Sequence, residues 1–404
     1  MNLDLIHWRA TQTPHRPALW FNGRWLSYAE LNARAIQLAN RLRELGVKRG
    51  DRVGILALNH PAHIDLMLAA PKLGFIFTPF NYRLSADEIR QLSAYVRPSF
   101  MFADSRHLSL AQTLDCPWTR LADYKEWLSV GAEKPARPIP LSPDDPHMIL
   151  FTGGSTGLPK GALIPYRQVL ANCANTVQGW GLTENDCAIH ATPCFQAAIN
   201  VLTMPLLYLG ARVVLVPQFQ TEEYLKLVSG HGVTLMFMVP TMYQMLSEDG
   251  EFEDADLSRV RWAISGGAPC PPTVRAAYAR RGVRFKQGFG MTEAGVNCFM
   301  IELDEAAEKP DSVGRPLPNT QALIRRADGS TCEINEVGEL TLAGSQVCAG
   351  YFEREAEWAK VYRDGWLWTG DLARKDSRGL YTIVGRSKEM YISGGENVYP
   401  AEVE

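Results

Sequence analysis

The residues with the densest capacity for chemistry are Phe151-Thr152-Gly153-Gly154-Ser155-Thr156-Gly157-Leu158-Pro159-Lys160-Gly161, where glycines and hydroxyls run into a lysine. A loop of this kind presents several backbone N–H groups and hydroxyls to phosphate oxygens, and its lysine adds a mobile positive charge. It follows the β-rich run Met148-Ile149-Leu150-Phe151, and Gly161-Ala162-Leu163-Ile164-Pro165 beyond it reads as strand, not helix. Pro159 before the lysine also sets it apart from a Walker A loop, so the expectation is a phosphate loop that bridges two strands without using a helix N-terminus. A plain flexible turn is the competing reading, and the density of glycine, Ser155, Thr156 and Lys160 disfavours it.

Further along stand Ser265-Gly266-Gly267-Ala268-Pro269, then Gln287-Gly288-Phe289-Gly290-Met291-Thr292-Glu293, then Trp368-Thr369-Gly370-Asp371. The last of the series is Gly385-Arg386-Ser387-Lys388-Glu389-Met390-Tyr391-Ile392-Ser393-Gly394-Gly395-Glu396-Asn397-Val398-Tyr399-Pro400. Taken singly, Glu293 or Asp371 reads as a solvated surface acid. Taken in order, with the glycine-rich loop ahead of them, these segments resemble the motifs of the adenylate-forming superfamily: acyl-CoA synthetases, luciferases and peptide-synthetase adenylation domains. The resemblance spans essentially the whole chain.

That resemblance implies ATP-dependent activation of a carboxylic acid as an acyl-adenylate, followed by transfer of the acyl group to coenzyme A. Thr152, Gly153, Gly154, Ser155, Thr156, Gly157 and Lys160 are then expected on the triphosphate. Gly267, Ala268 and Pro269 are expected to wall the adenine site, with Gly288, Phe289, Gly290 and Met291 beside the nucleotide and the Phe289 ring against the base. Thr292 is expected at the α-phosphate, and Glu293 on a magnesium ion bridging phosphate oxygens, a hard carboxylate for a hard cation. Asp371 is expected to accept from the ribose hydroxyls, with Arg386 nearby. Lys160, Thr292 and Glu293 are the expected catalytic group.

The resemblance also places a hinge at Lys388 and the pantetheine path of coenzyme A at Gly394 and Gly395. In the family a mobile C-terminal domain follows that hinge and supplies a second lysine. This chain stops at Glu404 without that lysine's P-x-T-x-x-G-K signature, so the expectation is a truncated chain or the ordered part of a longer protein.

Two departures from the family pattern stand out. Gly153 replaces a usual serine and removes one hydroxyl from the phosphate loop, and Gln196 stands where many acyl-CoA synthetases have histidine. The acyl pocket is expected to draw on Phe195, Gln196, Ala197, Ala198, Val239, Met242 and the backbone near Gly266. These side chains are apolar or small apart from Gln196, with no charge to neutralise a second ionised group on the substrate, so an acid with an uncharged aliphatic or aromatic tail is expected. A peptide-synthetase domain is disfavoured because Cys194-Phe195-Gln196-Ala197-Ala198-Ile199-Asn200 lacks the aspartate that pairs with an amino group. A stand-alone adenylating enzyme or a catalytically silent acyl- or nucleotide-binding module is the alternative.

Apolar runs rich in β-formers alternate with helical stretches, at 51–58, 99–104, 148–152, 211–216, 235–240 and 260–266, which indicates α/β architecture with largely parallel, buried strands. Ser27-Tyr28-Ala29-Glu30 reads as a capping box ahead of an amphipathic helix. After about residue 310 the texture changes to close-set strands with Asp-Gly and Arg-Gly turns, a small antiparallel unit. The expected organisation is a large domain over 1–384, made of α/β subdomains at about 1–165 and 166–309 with a chain crossover and a barrel-like β subdomain at 310–384. Residues 385–404 are then the hinge and the start of a further, mobile domain that is otherwise absent.

At 404 residues, 46% hydrophobic and 21% charged, the composition is that of a globular protein, and the net charge of −3 argues against a broad nucleic-acid surface. No stretch is apolar enough for a transmembrane span, no secretory signal is evident, and the eight cysteines are scattered without a Cys-x-x-Cys pair. A cytoplasmic protein with reduced thiols is expected, with ATP, magnesium, coenzyme A and a carboxylic acid as partners and a homodimer as a possible assembly. The eight histidines show no metal-ligand spacing and are read as structural or surface residues.

Overall fold

The computed structural model describes residues 3–137, 139–153 and 158–387, together with the backbone of Tyr391–Ser393 and Glu396–Val398. The fold is α/β, with two sheets rich in parallel strands, one large antiparallel sheet and a two-stranded antiparallel pair formed by Tyr391–Ser393 and Glu396–Val398.

The first sheet runs in the order Trp118–Arg120, Phe100–Ala103, Arg52–Leu56, Ile76–Pro79, Pro146–Thr152 and Lys160–Pro165. Its strands are parallel except the last pair, which is antiparallel with Thr152 opposite Lys160. The second runs Phe285–Gln287, Trp262–Ser265, Leu235–Met238, Cys187–His190, Arg212–Leu215, Pro17–Phe21 and Arg24–Ser27, parallel except for the final hairpin. The chain therefore crosses over: Pro17–Phe21 pairs with Arg212–Leu215 far downstream, Leu19 opposite Val213, and carries its hairpin partner Arg24–Ser27 to the sheet edge.

Strands buried on both faces carry no alternation, and Ile76–Pro79, Phe100–Ala103 and Trp262–Ser265 are buried at every position. The cores on the two sides of the first sheet are filled by groups such as Phe75, Phe77 and Phe102 on one side and Phe80, Met101 and Ile149 on the other. The capping box forms as the spacing requires. Glu30 N–H donates to Ser27 Oγ at 3.2 Å and Ser27 N–H to Glu30 Oε2 at 2.7 Å, starting the helix Tyr28–Glu44.

The antiparallel sheet runs Phe299–Met300, Ser312–Pro316, Tyr381–Arg386, Trp366–Lys375, Gly338–Ala343 and Gln321–Arg325, with Tyr362–Arg363 paired on Trp366–Lys375. It begins upstream of the change in texture near residue 310, because Phe299 and Met300 pair with Pro316 and Arg315. All the cysteines are free thiols, six of them buried, and among the described residues no helix is long and apolar enough to cross a membrane.

Candidate functional site

Four neighbouring parallel strands of the second sheet end on the same edge, and each releases one of the segments singled out in the sequence. Cys187–His190 leads to Phe195–Asn200, Leu235–Met238 to Val239, Trp262–Ser265 to Gly266–Pro269, and Phe285–Gln287 to Gly288–Glu293. The carboxyl edge of a parallel sheet is where open α/β folds leave a crevice, since the connections diverge there.

The last two segments are joined by Gly288 N–H donating to Ser265 C=O at 2.7 Å. Gly267 holds φ +88°, a left-handed conformation open to glycine at no steric cost. At Gly290 a Cβ atom would lie 2.1 Å from the Val296 carbonyl oxygen, so the chain doubles back on itself only with glycine there. Gly267, Ala268 and Pro269 are exposed, and Phe289 is half-buried, its ring in edge contact with Phe299 at 5.8 Å.

Thr152 closes the strand Pro146–Thr152 of the first sheet, Gly153 follows it, and Lys160 opens the hairpin partner. Gly154, Ser155, Thr156 and Gly157 lie outside the described residues, as do Lys388, Gly394 and Gly395 of the hinge segment. The Lys160 ammonium sits 3.3 Å from Glu357 Oε2 and 5.0 Å from the centre of the Tyr351 ring. The Tyr351 hydroxyl donates to Glu293 Oε1 at 2.9 Å. One tyrosine side chain thus touches both the lysine of the glycine-rich loop and the carboxylate expected to hold a divalent cation.

Backbone pairing holds this arrangement. Leu163 N–H donates to Gly350 C=O at 2.8 Å, Ala349 N–H to Leu163 C=O at 2.9 Å and Phe352 N–H to Gly161 C=O at 2.8 Å, while Cys348 N–H donates to Glu293 C=O at 2.7 Å. The stretch 348–352 is therefore a splint between the Lys160 strand and the Glu293 turn. Glu293 is buried, and among the described residues Tyr351 is the only hydrogen-bond donor to its carboxylate. Burial first and the neighbouring Glu293 charge second push the Tyr351 phenol far above its ordinary range, so it stays a donor.

Thr292 is placed by Gln168, whose Nε2 donates to the Thr292 carbonyl at 2.9 Å. Between them lies a small cavity lined by Leu150, Gln168, Asn172, Ala197, Asn200 and Val296, among others. Gln168 Oε1 and Asn200 Oδ1 are buried and have no hydrogen-bond partner among the described residues. Of the expected acyl-pocket residues only Ala197 lines this cavity. Phe195 is buried with its ring in edge contact with Tyr82 at 5.3 Å, Met242 packs against the core of the second sheet, and Gln196 is exposed. A Cβ atom at Gly267 would lie 3.7 Å from Val239 Cγ1, which brings the third segment of the edge against the second.

On the antiparallel sheet Asp371 is buried and Arg386 lies directly opposite it on the neighbouring strand, Nε to Oδ1 3.1 Å. Tyr351, Glu357 and Gln168 carried no signal in the sequence analysis. Their partners are brought to them by the pairing of separate sheets, and no local spacing encodes that.

The profile of the AMP-binding enzyme family matches residues 6–352 of this chain. The chain is 37% identical over 397 residues to a feruloyl-CoA synthase of Amycolatopsis sp, a match covering 98% of this chain and 80% of that protein. It is 32% identical over 418 residues to an indoleacetate–CoA ligase of Aromatoleum aromaticum, covering 100% of this chain and 82% of the relative. Among solved structures, an O-succinylbenzoate coenzyme A synthetase from Bacillus subtilis in complex with AMP superposes with a TM-score of 0.89 at 28% identity, over 99% of this chain and 82% of that one.

Proposed function

Since the chain belongs to the AMP-binding enzyme family, we propose that it is an AMP-forming acid–thiol ligase that activates an aryl acid and passes it to coenzyme A. The observation that carries this reading is the convergence of the Lys160 ammonium and the buried Glu293 carboxylate on the two sides of Tyr351. A polyphosphate with a divalent counter-ion needs a mobile cation for its outer oxygens and a hard carboxylate for its metal, close together and held by rigid backbone.

In the proposed reaction a carboxylate oxygen of the substrate attacks the α-phosphorus of ATP, the bond to the bridging oxygen breaks, and pyrophosphate leaves with the electron pair. Lys160, with the N–H groups and hydroxyls of its loop, meets the charge on the outer phosphates. Thr292, fixed through its carbonyl by Gln168, is offered to the α-phosphate. The Glu293 carboxylate, buried and with Oε1 satisfied by one phenol, is suited to a magnesium ion. When bound, that ion neutralises charge on the phosphate oxygens. Asp371 and Arg386 lie together on the antiparallel sheet, where the carboxylate can serve the ribose. In the second step a coenzyme A thiolate attacks the acyl carbon of the mixed anhydride and AMP departs. No protein nucleophile is required, so catalysis is alignment plus electrostatic stabilisation.

The aryl preference rests on two of the relatives, a feruloyl-CoA synthase and an indoleacetate–CoA ligase, and on the apolar and small side chains of the acyl segments. The fatty-acid alternative makes the same demands on the nucleotide side. Free thiols without a disulfide support a reducing, cytoplasmic setting. The test is AMP release across benzoates, cinnamates, indole acids and straight-chain fatty acids, paired with ATP–pyrophosphate exchange. Exchange that stays at background for every acid would overturn the assignment, and a preference rising with aliphatic chain length would replace aryl with fatty acid.

A further inference from the structure

We propose that Tyr351 is a positioning residue that sets the distance and orientation between the cation-holding carboxylate of Glu293 and the phosphate-facing ammonium of Lys160. The inference rests on the nucleotide reading above and adds a residue to it. The hydroxyl of Tyr351 is the sole donor to the Glu293 carboxylate among the described residues, at 2.9 Å to Oε1. A fixed hydrogen bond on one oxygen restricts the carboxylate's rotation and leaves the other oxygen for a cation. The face of the same ring lies 5.0 Å from the Lys160 ammonium, inside the range of a cation–π contact.

The tyrosine is itself held on both sides. Its backbone is bridged to Ala162 on the Lys160 strand. Its ring meets the Trp358 ring edge-on at 5.4 Å, and Trp358 in turn stacks on Tyr362 at 5.0 Å. The phenol therefore cannot swing away from Glu293 without breaking either a ring packing or a backbone bridge. A tyrosine kept only for packing needs no hydrogen bond on a carboxylate that has no other donor. Phenylalanine would fill the same space.

Tyr351→Phe separates the two roles, because it keeps the ring under Lys160 and removes only the hydroxyl. Binding of Mn2+ is measured by the electron paramagnetic resonance of the free ion, with ATP present and no acid substrate, alongside metal-free AMP binding by calorimetry and thermal melting. The expected result is a loss of about tenfold in Mn2+ affinity for the ATP-loaded protein, with AMP affinity and melting temperature as in the parent. Tyr351→Leu removes the ring as well and should further weaken metal-free ATP binding through Lys160, leaving AMP less affected.

Equal Mn2+ affinity in Tyr351→Phe and parent would overturn the proposal while leaving the nucleotide reading intact. A parallel fall in Mn2+ affinity, AMP affinity and melting temperature would assign Tyr351 to packing alone and equally overturn it. If the parent chain bound neither AMP nor ATP, the nucleotide reading would fail, and this inference with it.

Discussion

Asp371 and Arg386 face each other across adjacent antiparallel strands, the guanidinium Nε 3.1 Å from a carboxylate oxygen, with the acid buried and the arginine 62% exposed. The pair is asymmetric in consequence. The arginine gains little from it, since a partly solvated ion pair contributes about 0–1 kcal/mol. The acid, inside the protein, is oriented by it. Asp371→Ala is therefore expected to weaken AMP and ATP binding alike by about 1.5–3 kcal/mol, the range for hydrogen bonds to a charged group. Arg386→Ala should cost less than half of that and leave the melting temperature nearly unchanged. Calorimetric titration of both nucleotides against both variants checks this, and unchanged AMP affinity in Asp371→Ala would remove the ribose assignment.

Lys160 is already engaged before any phosphate arrives, since its ammonium lies 3.3 Å from Glu357, a residue on the helix Glu355–Val361 that also pairs with Lys360. A triphosphate must compete with that carboxylate. Lys160→Ala should weaken ATP binding more than AMP binding, because the lost charge faces the outer phosphates. Glu357→Gln should do the reverse and tighten ATP up to about fivefold, since the competing pair is partly exposed and worth at most about 1 kcal/mol. Salt should narrow both differences. Equal ATP affinity in the parent and in Lys160→Ala would show that the loop lysine does not meet the nucleotide.

Four histidines give the fold a defined acid limit. Burial pushes His60, His147 and His190 down to about 4 and His63 to about 3, each with desolvation as the largest cause. The unfolded chain binds protons at these rings below about pH 6.5 while the folded chain does not, so stability is complete above that pH and falls as pH drops toward 4. Each ring contributes a slope of up to about 1.4 kcal/mol per pH unit in that window. Urea unfolding at pH 8, 6.5 and 5 should show a steep loss between the last two values and little between the first two. His147→Gln should make the loss shallower, whereas a flat profile from 6.5 to 5 would mean that these rings are protonated in the native state.

Much of this was legible in the sequence, for reasons that are local. The parallel strands read as unbroken apolar runs because both faces are covered, as at Phe100–Ala103 and Trp262–Ser265. The capping box at Ser27 declared itself through a three-residue spacing. The glycine-rich loop was legible by composition, and its bridging of two strands followed from the β-character on both flanks. What stayed hidden depends on which strand pairs with which. Nothing at Pro17–Phe21 specifies pairing with Arg212–Leu215, and nothing near Tyr351 specifies Glu293, 58 residues upstream. Edge pairing and sheet docking are settled by the burial of whole faces, so Tyr351, Glu357 and Gln168 gained their partners only in three dimensions.

The acid substrate should follow from charge and from two unpartnered oxygens. Neither the acyl segments nor the cavity between Gln168 and Ala197 carries a charged side chain, so an acid whose tail bears a second carboxylate or an ammonium would bury an uncompensated charge. Such acids should be poor substrates. Gln168 Oε1 and Asn200 Oδ1 are buried without donors among the described residues, and an unpaired buried acceptor costs about 1–3 kcal/mol. A tail hydroxyl reaching this cavity would supply a donor, so hydroxylated aryl acids should exceed their unhydroxylated analogues in kcat/KM by about five- to a hundredfold. Asn200→Leu removes one acceptor at similar volume and should erase much of that ratio by lowering activity on the hydroxylated acid alone. Ala197→Phe should fill the cavity and depress kcat/KM for ring-bearing acids while leaving ATP affinity unchanged. The measurement is kcat/KM for cinnamate, 4-hydroxycinnamate and a dicarboxylic analogue in the parent and the two variants. If the dicarboxylate is preferred, the uncharged-tail assignment falls. If Asn200→Leu leaves the hydroxyl ratio intact, a resident water, not the substrate, satisfies those two oxygens.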